Sequence, residues 1–267
     1  MDAPALHVEE AGEGTPVVLL HGLTATHRYV VMGSRALERG GHRVIAYDAR
    51  GHGASAPAGD PAAYTYDDLA GDLLRVLGER GIERAVLAGA SMGAHTALKV
   101  ALQHPERVAG LVVVTPAYDP AEHADAASLA RWDALSDGLR SGGVDGFLAA
   151  YGEPAGDPAW RETLLTVLRQ RLGAHEHPGA VADALRAVPR SRPFGAVEEL
   201  TAITVPTVVV ADRDEADPGH PLAVGETYAR TIPGATLVVE GPGASPIAWQ
   251  GGRLSAVIAQ VAQAAVR

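Results

Sequence analysis

The sequence predicts a mostly parallel, doubly wound α/β sheet with a helical segment inserted into it. Three observations carry that prediction. Short apolar, β-rich runs alternate with amphipathic helical runs. A Gly-Ala-Ser-Met-Gly turn at 89–93 joins one such strand to one such helix. The stretch between the strands ending near Thr115 and beginning at Thr207 is far too long for a simple crossover.

Leu6–Glu9 reads as a weak edge strand, paired antiparallel. Val17–Leu20, Arg43–Tyr47, Ala85–Ala88, Leu111–Thr115, Thr207–Ala211 and Thr236–Glu240 read as the buried strands. After Tyr64, Thr65-Tyr66-Asp67-Asp68 resembles a capping box, and Leu69, Leu73, Val76 and Leu77 form the buried stripe of the helix that follows. A second helix follows Gly93, burying Ala94, Ala97, Leu98, Ala101 and Leu102 and stopping before Pro105. From Tyr118 to Leu200 helices are broken by Gly142-Gly143, Pro154, Gly156, Pro158 and Pro178-Gly179. The expected organisation is therefore a sheet domain in two parts, 1–117 and 201–267, with a helical cap at 118–200.

With 267 residues and 47% hydrophobic side chains, the chain can bury a substantial core. A net charge of −10 argues against nucleic acid or an anionic membrane as the main partner. There is no cysteine, which excludes disulfides, thiolate metal sites and a cysteine nucleophile. The start lacks a cationic region followed by an apolar stretch, and no apolar run approaches the ~20 residues of a membrane span, so the expected location is the cytoplasm.

Strand, Gly-x-Ser-x-Gly turn and helix in that order form a nucleophile elbow, a sharp turn that lifts the Ser91 hydroxyl above the sheet. Three further segments stand in matching order. They are His21-Gly22, Asp48-Ala49-Arg50-Gly51-His52-Gly53-Ala54-Ser55 and Val209-Val210-Ala211-Asp212-Arg213-Asp214. Together they resemble the α/β-hydrolase superfamily, specifically its cap-bearing, esterase-like serine hydrolases, over essentially the whole chain. The resemblance implies Ser91 as nucleophile and an oxyanion hole from the backbone N–H of Met92 with that of Leu23 or Thr24. It implies Asp214 as the acid that orients the base, with Asp212 and Asp119 as outside candidates. Among the aromatic residues of the cap, Trp132, Phe147 and Trp160 are candidates for lining the substrate pocket, weighed against packing the cap's own core. The implied function is hydrolysis of a small carboxylic ester or related acyl substrate, with no cofactor and no metal.

One position departs from the family pattern. The base should follow the last strand, in Gly241-Pro242-Gly243-Ala244-Ser245-Pro246, and the slot expected to hold histidine holds Ala244. A methyl group accepts no proton, and losing a triad histidine costs about a millionfold in turnover. Eleven histidines offer substitutes. His7, His42, His104 and His123 read as surface or turn residues, His21 and His52 as scaffold, and His95 as facing away from Ser91. His175 and His177 stand two apart and share no helix face, so they do not form a metal pair. His220, in Asp217-Pro218-Gly219-His220-Pro221, could fold toward Asp214, and His27 lies on the oxyanion loop. Each is a candidate substitute base, expected within about 2.6–3.2 Å of the Ser91 oxygen if it serves. Three readings stay open: a hydrolase whose base is a relocated histidine or a positioned water, a hydrolase with its base removed, and a non-catalytic ligand-binding protein on the same fold. Restoring histidine at 244 is expected to separate them, with a gain in ester turnover if the base was removed.

Overall fold

The computed structural model describes residues 3–123, 125–244, 249 and 251–266. Its strands are β1 (Val8–Ala11), β2 (Thr15–Leu20), β3 (His42–Tyr47), β4 (Ala85–Ala90), β5 (Val108–Val114), β6 (Thr207–Ala211) and β7 (Thr236–Val239). They form one seven-stranded sheet in the order β1-β3-β2-β4-β5-β6-β7. Only β1 is antiparallel, pairing Val8 with Tyr47 and Ala11 with Val44, and the remaining pairs are parallel. The edge strand thus begins two residues later than its apolar pattern suggests, and β5 begins three residues earlier.

The helices are α1 (Ala36–Arg39), α2 (Tyr66–Glu79), α3 (Met92–Gln103), α4 (Ala126–Tyr151), α5 (Arg161–Leu172), α6 (Pro178–Ala187), α7 (Leu222–Thr231) and α8 (Gly252–Ala265). Alternation along each strand divides the core between the two faces of the sheet. Val18, Leu20, Leu87, Leu111 and Val113 pack with residues of α2 and α3. Val17, Leu19, Val86, Ala88 and Val112 pack with Leu37 of α1 and Leu254, Ile258 and Val261 of α8. Burial on both faces explains why these strands read as continuous apolar runs. Thr65 caps α2 in a true capping box, accepting the Asp68 N–H while the Asp68 carboxylate accepts the Thr65 N–H.

Helices α4 to α6 lie in the chain between β5 and β6. Their apolar residues Leu135, Leu139, Phe147, Leu172, Val181 and Leu185 join one cluster with Leu23 and Met92 of the sheet domain. The helical insertion therefore seats on the end of the sheet where β2 and β4 run out. Inside α4 the backbone reverses at Gly143, whose φ of 59° is open to glycine at little cost. Among the described residues no helix is long and apolar enough to cross a membrane.

Candidate active site

Ser91 occupies the turn between β4 and α3 with φ 49° and ψ −112°, an uncommon backbone conformation for a residue with a side chain. The flanking glycines are dictated by close approach. A Cβ on Gly89 would stand 2.3 Å from the Gly93 carbonyl, and a Cβ on Gly93 would stand 2.3 Å from the Leu20 carbonyl oxygen. The Ser91 N–H donates to Val114 O at 2.9 Å, which ties the strained turn to β5.

His220 faces this serine, with its Nε2 3.0 Å from Ser91 Oγ. Its other nitrogen, Nδ1, lies 2.7 Å from Asp217 Oδ2. The pair comes from one tight turn, in which the His220 N–H donates to Asp217 O at 3.1 Å and the Gly219 N–H donates to Asp217 Oδ1 at 3.2 Å. Proline and glycine between them suit such a turn. Burial alone would lower the His220 pKa, but the Asp217 carboxylate outweighs it, and the imidazole sits above its ordinary value. Burial would likewise raise Asp217, and His220 holds it below its ordinary value instead. With Nδ1–H donated to the carboxylate, Nε2 presents its lone pair to the serine hydroxyl.

The neighbouring aspartates have different roles. Asp214, at the family's acid position, is exposed and accepts the Leu222 N–H at 2.8 Å, satisfying the start of α7 rather than orienting a histidine. Asp212 is buried, and its pKa is pushed up to about 8 by burial and by the carboxylates of Asp217 and Glu240. It therefore carries a proton at neutral pH. Glu240 beside it accepts the Arg213 N–H and, at 3.0 Å, the Trp249 Nε1–H. Asp119 accepts the Ala121 N–H at 2.8 Å in a local turn.

His27 does not face Ser91. Its Nδ1–H and backbone N–H both donate to Asp48 Oδ1, at 2.9 and 2.8 Å, and the ring packs toward the edge strand. The loop after β2 brings His27 beside the loop after β3, and Asp48 captures it there. Ala244 is half-buried, and its N–H closes a turn onto Gly241 O at 3.2 Å. The rest of that loop, 245–248, lies outside the described residues.

The oxyanion loop is held from behind. Gly22 O accepts from the Ala25 N–H at 3.0 Å and from His21 Nδ1 at 2.8 Å. In a trans peptide the Leu23 N–H then points the opposite way. His52 Nε2 lies 2.8 Å from Leu23 O, and His175 from the helical insertion donates to Thr24 O at 3.2 Å. Leu23 and Met92 both line the pocket above Ser91, whereas Thr24 is not among its described lining residues. Met92 opens α3, so its N–H has no acceptor within the helix.

The pocket has a cavity volume of about 760 Å³. Trp132 lines it. Phe147 does not: it is 1% exposed, stacked on Tyr151 at 6.2 Å inside the packing of the insertion. Trp160 sits half-buried on the turn before α5 and is likewise not among the described lining residues. Sequence reasoning overlooked Tyr66 and underrated His95. His95 Nε2 accepts the N–H groups of Ala117 and Tyr118, each at 3.2 Å, so its proton resides on Nδ1, 3.1 Å from Tyr66 Oη. Burial, aided by His220, lowers the His95 pKa to about 3 and keeps it neutral. The Tyr66 hydroxyl, already an acceptor from His95, has its own proton left to give, and it lines the pocket.

The family profile described as the alpha/beta hydrolase fold matches residues 15–195. The chain belongs to the α/β-hydrolase family. A putative carbamate hydrolase, RutD, from Variovorax paradoxus is 34% identical over 214 residues, 79% of each chain. A thermophilic esterase from Thermogutta terrifontis superposes with a TM-score of 0.79 at 26% identity, over 97% of this chain and 93% of the other. An enzyme that degrades N-acyl homoserine lactones superposes with a TM-score of 0.73 at 25% identity, over 98% and 97%. Curated relatives of this α/β hydrolase also include an epoxide hydrolase from Caballeronia sordidicola, 38% identical over 103 residues, 39% of this chain and 31% of that one.

Proposed function

We propose that this α/β hydrolase is a serine hydrolase acting on carboxylic esters, with His220 as a relocated base and Asp217 as the acid that orients it. The observation that carries the proposal is the 3.0 Å contact between His220 Nε2 and Ser91 Oγ, backed by the 2.7 Å contact to Asp217. An epoxide hydrolase mechanism is disfavoured because it needs a carboxylate where Ser91 stands.

In the first half-reaction Ser91 Oγ attacks the ester carbonyl carbon while its proton passes to His220 Nε2. The oxygen that becomes negative is met by the N–H groups of Leu23 and Met92. Collapse of the tetrahedral adduct breaks the bond to the alkoxy oxygen, which leaves as alcohol with the proton from His220. Water then loses a proton to His220 Nε2, attacks the acyl carbon, and the serine leaves with that proton. Asp217 stays ionised throughout and balances the imidazolium.

Substrate charge follows from the lining. Asp119, Glu122 and Asp125 line the pocket, and no arginine or lysine does so among its described residues. A neutral ester is favoured over one bearing a carboxylate, by about tenfold or more in kcat/KM. A binding-only role gives the serine, histidine and aspartate contacts nothing to do.

Neutral p-nitrophenyl esters test the proposal. The expected result is turnover with a burst of p-nitrophenol and an acyl adduct on the peptide containing Ser91. Turnover that survives unchanged in Ser91→Ala would overturn it.

A further inference from the structure

His7, Glu9 and His27 gather at the edge of the sheet, where none of them serves the serine chemistry. Glu9 projects from β1, His7 immediately precedes that strand, and His27 opens the turn after the oxyanion loop. One imidazole nitrogen from each histidine and one carboxylate oxygen of Glu9 lie within 4.8 Å of one another.

Asp48 fixes the orientation of His27. Although burial lowers its pKa, the carboxylates of Asp48 and Glu9 raise it above the ordinary value, so a bound cation must displace a proton from Nε2. Because its Nδ1–H donates to Asp48 Oδ1 at 2.9 Å, the lone pair of the neutral ring is on Nε2. That atom is buried and has no hydrogen-bond partner, in a residue only 9% exposed. Glu9 Oε1 lies 3.3 Å away, off the axis along which this nitrogen would make a hydrogen bond. A buried, unpartnered imidazole nitrogen gathered with a carboxylate and a second imidazole is a donor set that a divalent metal uses. A carboxylate behind the ligating histidine, here Asp48, is the usual outer support of such a ligand.

We infer that His7, Glu9 and His27 bind a late first-row divalent cation, zinc or its neighbours. Two imidazoles and one carboxylate suit that class better than calcium or magnesium, which prefer oxygen ligands alone. Around tetrahedral zinc, ligands at about 2.0–2.1 Å lie about 3.3 Å from one another. The Glu9–His27 separation of 3.3 Å already matches. His7 Nε2 is 3.9 Å from Glu9 Oε1, about 0.6 Å beyond the tetrahedral edge, and a nitrogen of His7 lies within 4.8 Å of one of His27, so His7 must move inward toward both to ligate. Its side chain is 38% exposed and can turn, while its backbone is held by Ser55 Oγ and the Asp48 N–H, at 2.9 and 3.0 Å. The exposed side leaves room for water as the fourth ligand.

The consequence for the fold is a fastening. A cation there joins the antiparallel edge strand to the loop that carries Leu23, two segments separated by fewer than 20 residues of chain.

The test uses the untagged full chain, stripped with EDTA and dialysed against cobalt(II) or zinc chloride alone at pH 8. The expected result is one cobalt per chain with visible d–d absorption, and a melting temperature raised by about 4 °C or more at saturating zinc. His7→Ala and Glu9→Gln should each weaken uptake by at least tenfold and abolish the thermal shift, with their far-UV spectra unchanged. His104→Ala, which alters another histidine beside a carboxylate, should bind as the parent does. Absence of stoichiometric uptake, or equal uptake in the parent, His7→Ala and Glu9→Gln, overturns the inference. Uptake lost in His220→Ala but kept in His7→Ala would place the metal at the serine site and overturn it as well.

Discussion

The loops that follow β6 and β7 do opposite things in this molecule. The loop after β6 holds Asp217 and His220 on one tight turn and delivers an imidazole to Ser91. The loop after β7, where the family pattern places the base, closes a turn of its own through the Ala244 N–H and offers a methyl group. A catalytic base is defined by where its nitrogen arrives, not by which strand precedes it. Acid and base three residues apart also form a more local unit than the same pair drawn from two loops. The dyad's geometry is then set by a single turn, and only its docking against Ser91 depends on the tertiary fold.

Removing the imidazole from the first loop is the most damaging change the comparison allows. His220→Ala should reduce kcat for a neutral p-nitrophenyl ester by about 10⁵–10⁶-fold, the scale of a lost triad histidine. Asp217→Asn should cost about 10⁴-fold, because the histidine loses its orientation and the partner for its positive form. The pH profile sharpens this. His220 acts as a base only when neutral, and its pKa is raised, so the acid limb of kcat/KM should lie above the ordinary imidazole value of 6.5. Without the Asp217 carboxylate, burial is left to act, and the limb of Asp217→Asn should move to lower pH. An unmoved limb would mean that Asp217 does not set the histidine's charge.

The second loop should respond weakly. Ala244→His, expected to raise turnover had the base been removed, should instead leave kcat/KM within about threefold or lower it by crowding, because His220 already faces Ser91. A gain of several orders of magnitude would return the base to the loop after β7. Smallest in activity is Asp214→Ala. It should leave turnover nearly unchanged while costing about 1 kcal/mol of stability, read as a drop of a few degrees in melting temperature, since Asp214 caps α7.

Much of this was legible in the sequence, and the remainder was hidden for identifiable reasons. The glycines at 89 and 93 announce the elbow because the clashes they avoid arise within a few residues of Ser91 and from the strand beside it. Parallel strands announce themselves through apolar runs, because burial on both faces removes the need for alternation. The Asp-Pro-Gly-His turn was readable as a turn, but its aim at a serine 129 residues earlier depends on the tertiary path. Matching by chain order assigned Asp214 the acid role, although its carboxylate is committed to a helix N-terminus. The place of His27 is hidden in the sequence because two loops after adjacent strands meet side by side, and Asp48 takes the ring before it can turn to the pocket. In the insertion, the reversal at Gly143 breaks the helical phase between Trp132 and Phe147, so one lines the pocket and the other is core.

The sharpest measurement reports on Ser91 without any substrate. The rate at which a fluorophosphonate labels Ser91, followed by intact mass and peptide mapping, depends on a base withdrawing the hydroxyl proton. The parent protein should be labelled once, at Ser91, with a rate that falls as pH drops through the raised His220 pKa. His220→Ala should remain unlabelled over the same interval, and Ala244→His should label like the parent. Equal labelling rates in the parent and His220→Ala would contradict the assignment of His220 as the base.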